Sequence, residues 1–135
     1  MGRKKKKLKL PLYSNKVSAG FPSPADDFIE KTLDLNDLLI KHPQATFFVR
    51  VSGNSMVNAG IRDGDILVVD KSLEPKEGKI VIANVEGEFV LKRIRKKNGK
   101  LYLFPENLDY NPIEIKEDMD CEIWGVVTYV IHPII

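Results

Sequence analysis

The 135-residue chain reads as a mainly β domain, a partly closed, barrel-like sheet preceded by a flexible N-terminal arm. Three observations predict this. Beyond Pro43, apolar residues come in short β-branched and aromatic runs separated by Gly, Asn and Asp. Helical spacing occurs in one short segment only, Asp34 to Lys41. Residues 1–25 are basic, then polar, and close with Pro22 and Pro24, so no amphipathic helix of useful length fits there.

In chain order, the predicted helix takes Asp34 as N-cap and places Leu35, Leu38 and Leu39 on one face. Pro43 lies just past its end. Strands are predicted at Thr46–Ser52, Ile66–Val69, Ile80–Val85, Phe89–Ile94, Leu101–Phe104 and Ile123–Ile131. Glu86-Gly87-Glu88 reads as a hairpin turn between two of them. The predicted organisation is an arm over residues 1–25 and one folded domain over residues 26–135.

Composition narrows the function classes. Hydrophobic residues make up 43% of the chain, which favours a packed core over a disordered chain. The net charge of +2 hides an uneven distribution: Arg3, Lys4, Lys5, Lys6, Lys7 and Lys9 crowd the first ten residues and leave the remainder acidic. Such a run is ordinarily a solvated tail. Its sharper reading is weak contact with nucleic acid. A single cysteine, Cys121, excludes an intrachain disulfide and fits a reducing bacterial cytoplasm. No apolar run reaches the roughly 20 residues of a membrane span. Lys9, Pro11, Ser14, Asn15 and Lys16 interrupt any apolar core of a secretory signal.

The chemistry-bearing candidates are few. Ser52-Gly53-Asn54-Ser55-Met56 follows a strand and ends in a turn. A serine at such a corner projects its hydroxyl where backbone N–H groups also point, and those of Ser55 and Met56 are candidate oxyanion donors. The same residues are also ordinary turn chemistry. A nucleophilic serine needs a base. His42 and His132 sit in no triad context, whereas Lys92 belongs to Phe89-Val90-Leu91-Lys92-Arg93-Ile94. Alternation puts Val90, Lys92 and Ile94 on one face. Facing inward, Lys92 would be desolvated and partly neutral, as a base requires. The alternative is a lysine on an edge strand with a solvated head. Cys121 lies between Asp120 and Glu122, which discourage a thiolate. Asp63-Gly64-Asp65 lacks the further ligands of a calcium loop and reads as a tight turn. No zinc, Walker-type or dinucleotide motif is present, so no metal or cofactor is expected.

Taken together, three segments resemble the LexA/UmuD family of self-cleaving serine peptidases (peptidase S24). They are Ser52-Gly53-Asn54-Ser55-Met56, Gly60-Ile61-Arg62-Asp63-Gly64-Asp65-Ile66-Leu67-Val68-Val69-Asp70, and Gly87-Glu88-Phe89-Val90-Leu91-Lys92-Arg93. The resemblance implies Ser55 as nucleophile and Lys92 as general base. It also implies a cleavage site in the arm, and Val17-Ser18-Ala19-Gly20-Phe21-Pro22 matches at Ala19-Gly20. The roughly 25 residues between that site and the first core strand can span tens of ångströms when extended. The arm can therefore fold back to the serine, where the small Ala19 implies a narrow pocket.

Phe21-Pro22-Ser23-Pro24-Ala25-Asp26, Asp34-Leu35-Asn36-Asp37-Leu38-Leu39-Ile40, His42-Pro43 and Trp124-Gly125-Val126-Val127 are similar to the UmuD-like branch rather than to the repressors. Nineteen residues before the cleavage site are also too few for a helix-turn-helix domain. The lysine-rich start has no family counterpart. This branch implies cleavage stimulated by RecA filaments on single-stranded DNA. It implies a homodimer of residues 20–135 that serves an UmuC-type translesion polymerase in the SOS response. Two other readings are a dimeric polymerase-binding module with a vestigial site and a signal-peptidase-like Ser-Lys protease; the second normally needs a membrane anchor.

Overall fold

A computed structural model describes residues 7–13 and 29–135. The chain divides into two units, Met1–Lys41 and His42–Ile135. The boundary expected near residue 25 falls outside the described residues.

In the first unit, β1 (Leu10–Tyr13) and β2 (Ile29–Leu33) pair antiparallel, and α1 (Leu35–Leu39) follows. The pairing of β1 was not expected, because Pro11 argues against a strand; a two-stranded sheet tolerates it because each strand is an edge. Asp34 caps α1 as expected: one carboxylate oxygen accepts the Asn36 N–H at 2.8 Å. The other oxygen accepts the Leu8 N–H at 3.2 Å. The helix ends at Leu39 rather than Lys41, and Ile40 is already extended. The residue before Pro43 is steered away from helical geometry, so the chain must leave the helix early.

The second unit is a seven-stranded antiparallel sheet in the order β3-β4-β9-β5-β6-β7-β8. Its strands are β3 (Thr46–Arg50), β4 (Ile66–Asp70), β5 (Ile80–Val85), β6 (Glu88–Lys97), β7 (Lys100–Phe104), β8 (Ile113–Ile115) and β9 (Cys121–Ile131). The sheet stays open, with β3 and β8 at its ends. Glu86 and Gly87 form the expected turn between β5 and β6, at φ 51° and 86°. These values match the twist of the flanking strands. Asn98-Gly99 closes β6 onto β7 in the same way, and β6 runs three residues further than its apolar pattern suggests.

Alternation feeds two clusters. Val81, Ala83 and Val85 pack with Ile94, Leu103 and Val126. Ile82 packs in the other cluster, with Met56, Ile61, Leu67 and Val69. The long apolar β9 lies between β4 and β5, so both its edges are paired; Gly125 and Val126 are buried, while Trp124, Tyr129 and Ile131 stay exposed. Gly125 is required there. A Cβ at this position would sit 2.6 Å from Val69 Cγ1 and 3.3 Å from the Asp70 carbonyl oxygen.

Candidate active site

The loop after β3 is held from several sides before it reaches Ser55. Val51 N–H donates to the Asp65 carbonyl, and Gly64 N–H donates back to the Val51 carbonyl, both at 2.8 Å. Gly53, at φ 90°, donates its N–H to Asp63 Oδ1 at 2.7 Å. Asp63-Gly64-Asp65 is thus a turn that braces the serine loop. Met56 plugs into the second cluster at 1% exposure and anchors the chain immediately after Ser55. A short 3-10 turn, Val57–Ala59, then leads away. Ser55 is half-buried, and neither its N–H nor that of Met56 meets an acceptor among the described residues.

Lys92 enters from β6, which lies between β5 and β7, so the edge-strand alternative does not hold. Its neighbours on the same face are Val90 and the buried Ile94, and it stands opposite Val81 on β5. Only 9% of Lys92 remains exposed. Burial pushes its pKa below the ordinary lysine value, because a desolvated ammonium loses its hydration. Its Nζ lies 2.9 Å from Ser55 Oγ. Residues 37 apart in sequence are therefore in hydrogen-bond contact, in the arrangement of a nucleophile and its base.

A second loop, unforeseen from sequence, clasps this pair. Glu106 N–H donates to the Ser55 carbonyl and Asn58 N–H to the Glu106 carbonyl, both at 2.8 Å. Asn107 Nδ2 donates to the Asn54 carbonyl, also at 2.8 Å. The Glu106 carboxylate accepts from the Nε of Arg93, the residue after Lys92, and Arg93 Nη1 also donates to the Gly78 carbonyl. Glu106 thereby ties the strand of the lysine to the turn of the serine. Pro105-Glu106-Asn107 has turn-forming composition, but no spacing rule points it at Ser55.

An apolar groove of about 560 Å³ lies apart from the pair, and neither Ser55 nor Lys92 lines it. Phe47, Val49 and Ser52 line it from β3 and the loop that follows, and Phe89 and Leu91 line it from the face of β6 opposite Lys92. Trp124 closes it, edge-on to Phe89 with ring centroids 4.8 Å apart.

The remaining candidates lie elsewhere. His42 Nδ1 meets Asp70 Oδ2 at 2.6 Å, and His132 Nδ1 lies 3.5 Å from Asp65 Oδ2. Burial raises the Asp70 pKa, but bonds from His42 and Ser72 outweigh it and hold the carboxyl below its usual range. Neither histidine is bonded to Ser55 among the described residues. Burial, then the charge of Asp120, pushes the Cys121 thiol up, which suits a packed side chain rather than a nucleophile. Ala19, Gly20 and the cations from Arg3 to Lys6 lie outside the described residues. Lys9 is exposed, and Lys7, also exposed, sits 3.6 Å from Asp37. No group of His, Cys, Asp and Glu suited to a metal occurs among the described residues. No described helix is long and apolar enough to cross a membrane.

An open β sheet that carries a serine turn against a buried lysine is the architecture expected of the self-cleaving serine peptidases. The chain belongs to that family: the peptidase S24-like model matches residues 11–128. Among its relatives, the protein MucA of Escherichia coli is 44% identical over 128 residues, covering 93% of this chain and 87% of MucA. The protein SamA of Salmonella typhimurium is 48% identical over 122 residues, covering 90% of this chain and 84% of SamA. The LexA repressor of Aeromonas hydrophila is 41% identical over 113 residues, which span 84% of this chain and 53% of the repressor.

Proposed function

We propose that the chain cuts itself between Ala19 and Gly20, with Ser55 as nucleophile and Lys92 as general base. The observation that carries this reading is the 2.9 Å contact between Ser55 Oγ and a lysine Nζ buried among apolar neighbours. Neutral Lys92 takes the proton of the Ser55 hydroxyl. The Ser55 Oγ bonds to the Ala19 carbonyl carbon, and the N–H groups of Ser55 and Met56 hold the oxyanion. Lys92 returns its proton to the Gly20 nitrogen as the Ala19–Gly20 bond breaks. Water then hydrolyses the Ser55 ester and leaves a carboxylate on Ala19. Tethering the arm raises its effective concentration, so a modestly activated serine suffices.

The same reading gives the cut a purpose. RecA filaments on single-stranded DNA would bind the cleavable conformation better than the resting one and so shift the population toward it. Residues 20–135 would then act as a homodimer with an UmuC-type translesion polymerase, in the bacterial cytoplasm, during the SOS response. Similarity to MucA and SamA supports this branch of the family over the repressors. The test is a mass spectrum of purified protein after incubation near pH 10, where burial leaves more of Lys92 neutral than of a free lysine, and after incubation with RecA filaments. The expected product is residues 20–135. Intact protein in both arms, or a cut at another bond, would overturn the proposal.

A further inference from the structure

Six cations fall within the ten residues 91–100, and no acidic residue occurs between Glu88 and Glu106. Lys92 and Arg93 belong to the site described above. Arg95, Lys96, Lys97 and Lys100 do not. Strand β6 pairs with β5 only as far as Arg93, and β8 covers β7 only at Leu101–Leu103. The β6–β7 ribbon ends at Asn98-Gly99; only its tip, residues 95–97 and Lys100, projects past its neighbours, since Ile94 bonds to Lys79 and Gly78 and Tyr102 pairs with Glu114.

Register places Lys97 opposite Lys100, Arg95 opposite Tyr102, and Arg93 opposite Phe104. One face of the ribbon therefore alternates cations with aromatic rings. Lys97 and Lys100 are exposed, and Tyr102 and Phe104 are half-exposed. Like charges directly across a ladder repel. Among the described residues, no carboxylate forms an ion pair with Arg95, Lys96, Lys97 or Lys100. The nearby acids are Glu77, which accepts the Lys96 backbone N–H at 3.3 Å, and Glu114, opposite Tyr102 on β8. The Lys97 ammonium instead lies over the Phe104 ring, 4.8 Å from its centroid. Tyr102 and Phe104 stand edge to face, with centroids 6.0 Å apart.

We propose that this ribbon binds single-stranded DNA, with phosphates on Arg95, Lys97 and Lys100 and bases stacked on Tyr102 and Phe104. Cations that repel across the ladder and have no carboxylate partner among the described residues call for a polyanion. Interleaved rings favour one whose bases are unpaired, because a stacking platform serves bases freed from a duplex. An acidic peptide would use the cations and leave the rings idle. The inference is independent of the self-cleavage proposal, and its failure leaves that proposal standing.

The experiment is fluorescence anisotropy of a labelled oligothymidylate of about 16 nucleotides, titrated with the full Ser55→Ala chain so that one species is present. Binding should weaken steeply with salt. The pair Lys97→Gln/Lys100→Gln should lower the magnitude of the log–log salt slope by about 1.4, two phosphate contacts at roughly 0.7 each on a single strand. Tyr102→Leu should weaken binding about tenfold with the slope unchanged. Unchanged thermal unfolding of each variant shows that the fold survives; if Tyr102→Leu unfolds, Arg95→Gln takes its place, with a slope change of about 0.7. Three results would overturn the proposal. One is equal affinity for a duplex of the same length, and another is equal competition by polyglutamate. The third is binding lost with Lys4→Gln/Lys5→Gln/Lys6→Gln but kept in the ribbon variants.

Discussion

A lysine between Val90 and Ile94, opposite Val81, has lost most of the water that keeps an ammonium charged. Its lowered pKa has a kinetic consequence with a definite sign. On the proposed mechanism the neutral amine is the active form, so self-cleavage should be lost as pH falls through the pKa of Lys92. The rate should climb about tenfold per pH unit and level off below the ordinary lysine value of about 10.4. A plateau displaced above that value would show that Lys92 is not the base. Ser55→Ala and Lys92→Ala should each slow cutting at least about a hundredfold, the usual scale of losing a general base or its nucleophile. Far-UV circular dichroism on the same samples separates lost chemistry from lost fold.

Strands and loops set the distance between these two side chains. Ser55 rides on a turn and Lys92 on a strand; Glu106 joins them through the Ser55 carbonyl and the Arg93 guanidinium. Glu106→Ala should leave the sheet intact but loosen the pair, and a displacement of about 1 Å can cost up to about a hundredfold in rate. The pH midpoint should stay where Lys92 sets it, which distinguishes a positioning residue from the base. The sheet also makes a demand of its own at β9. Gly125→Ala would drive a methyl into the fully buried Val69 and the Asp70 backbone. Overpacking of this kind costs about 1–3 kcal/mol, to be read from urea unfolding. An unchanged midpoint would mean that β9 shifts freely where its register slips, at Trp124 against β5 and at Thr128 against β4.

At the scale of the molecule, both apolar clusters and both members of the Ser55–Lys92 pair lie within His42–Ile135. A chain reduced to residues 42–135 should therefore unfold in one cooperative transition by circular dichroism and calorimetry. It should also lack any self-cleavage, because the Ala19–Gly20 bond is gone. A broad, non-cooperative transition would place part of the core's stability in residues 1–41. On the proposed mechanism the tether should matter for rate rather than for fold, because intramolecular presentation raises the effective concentration of the scissile bond.

Local chemistry was legible in the residues alone. Period-two runs of Val, Ile and Phe marked β3 to β7 and β9, and Glu86-Gly87 marked its turn, because side-chain alternation and turn geometry are written in neighbouring residues. The pairing of β1 with β2 and the three-residue β8 were not legible. One contains Pro11 and the other is too short for a pattern, so both depend on partners supplied by the fold. Ser55 and Lys92 could be named from their motifs, yet whether Lys92 faced water or the core was open. Alternation says that two faces differ, not which is covered. The packing of the lysine's face into the cluster of Val81, Ile94 and Leu103 decided it, and buried the lysine with them. The clasp of Glu106 on Ser55 and the union of Lys97, Lys100, Tyr102 and Phe104 on one ribbon face arise in the same way. Contacts between residues distant in sequence have no local signature, and only the register and packing of the folded sheet create them.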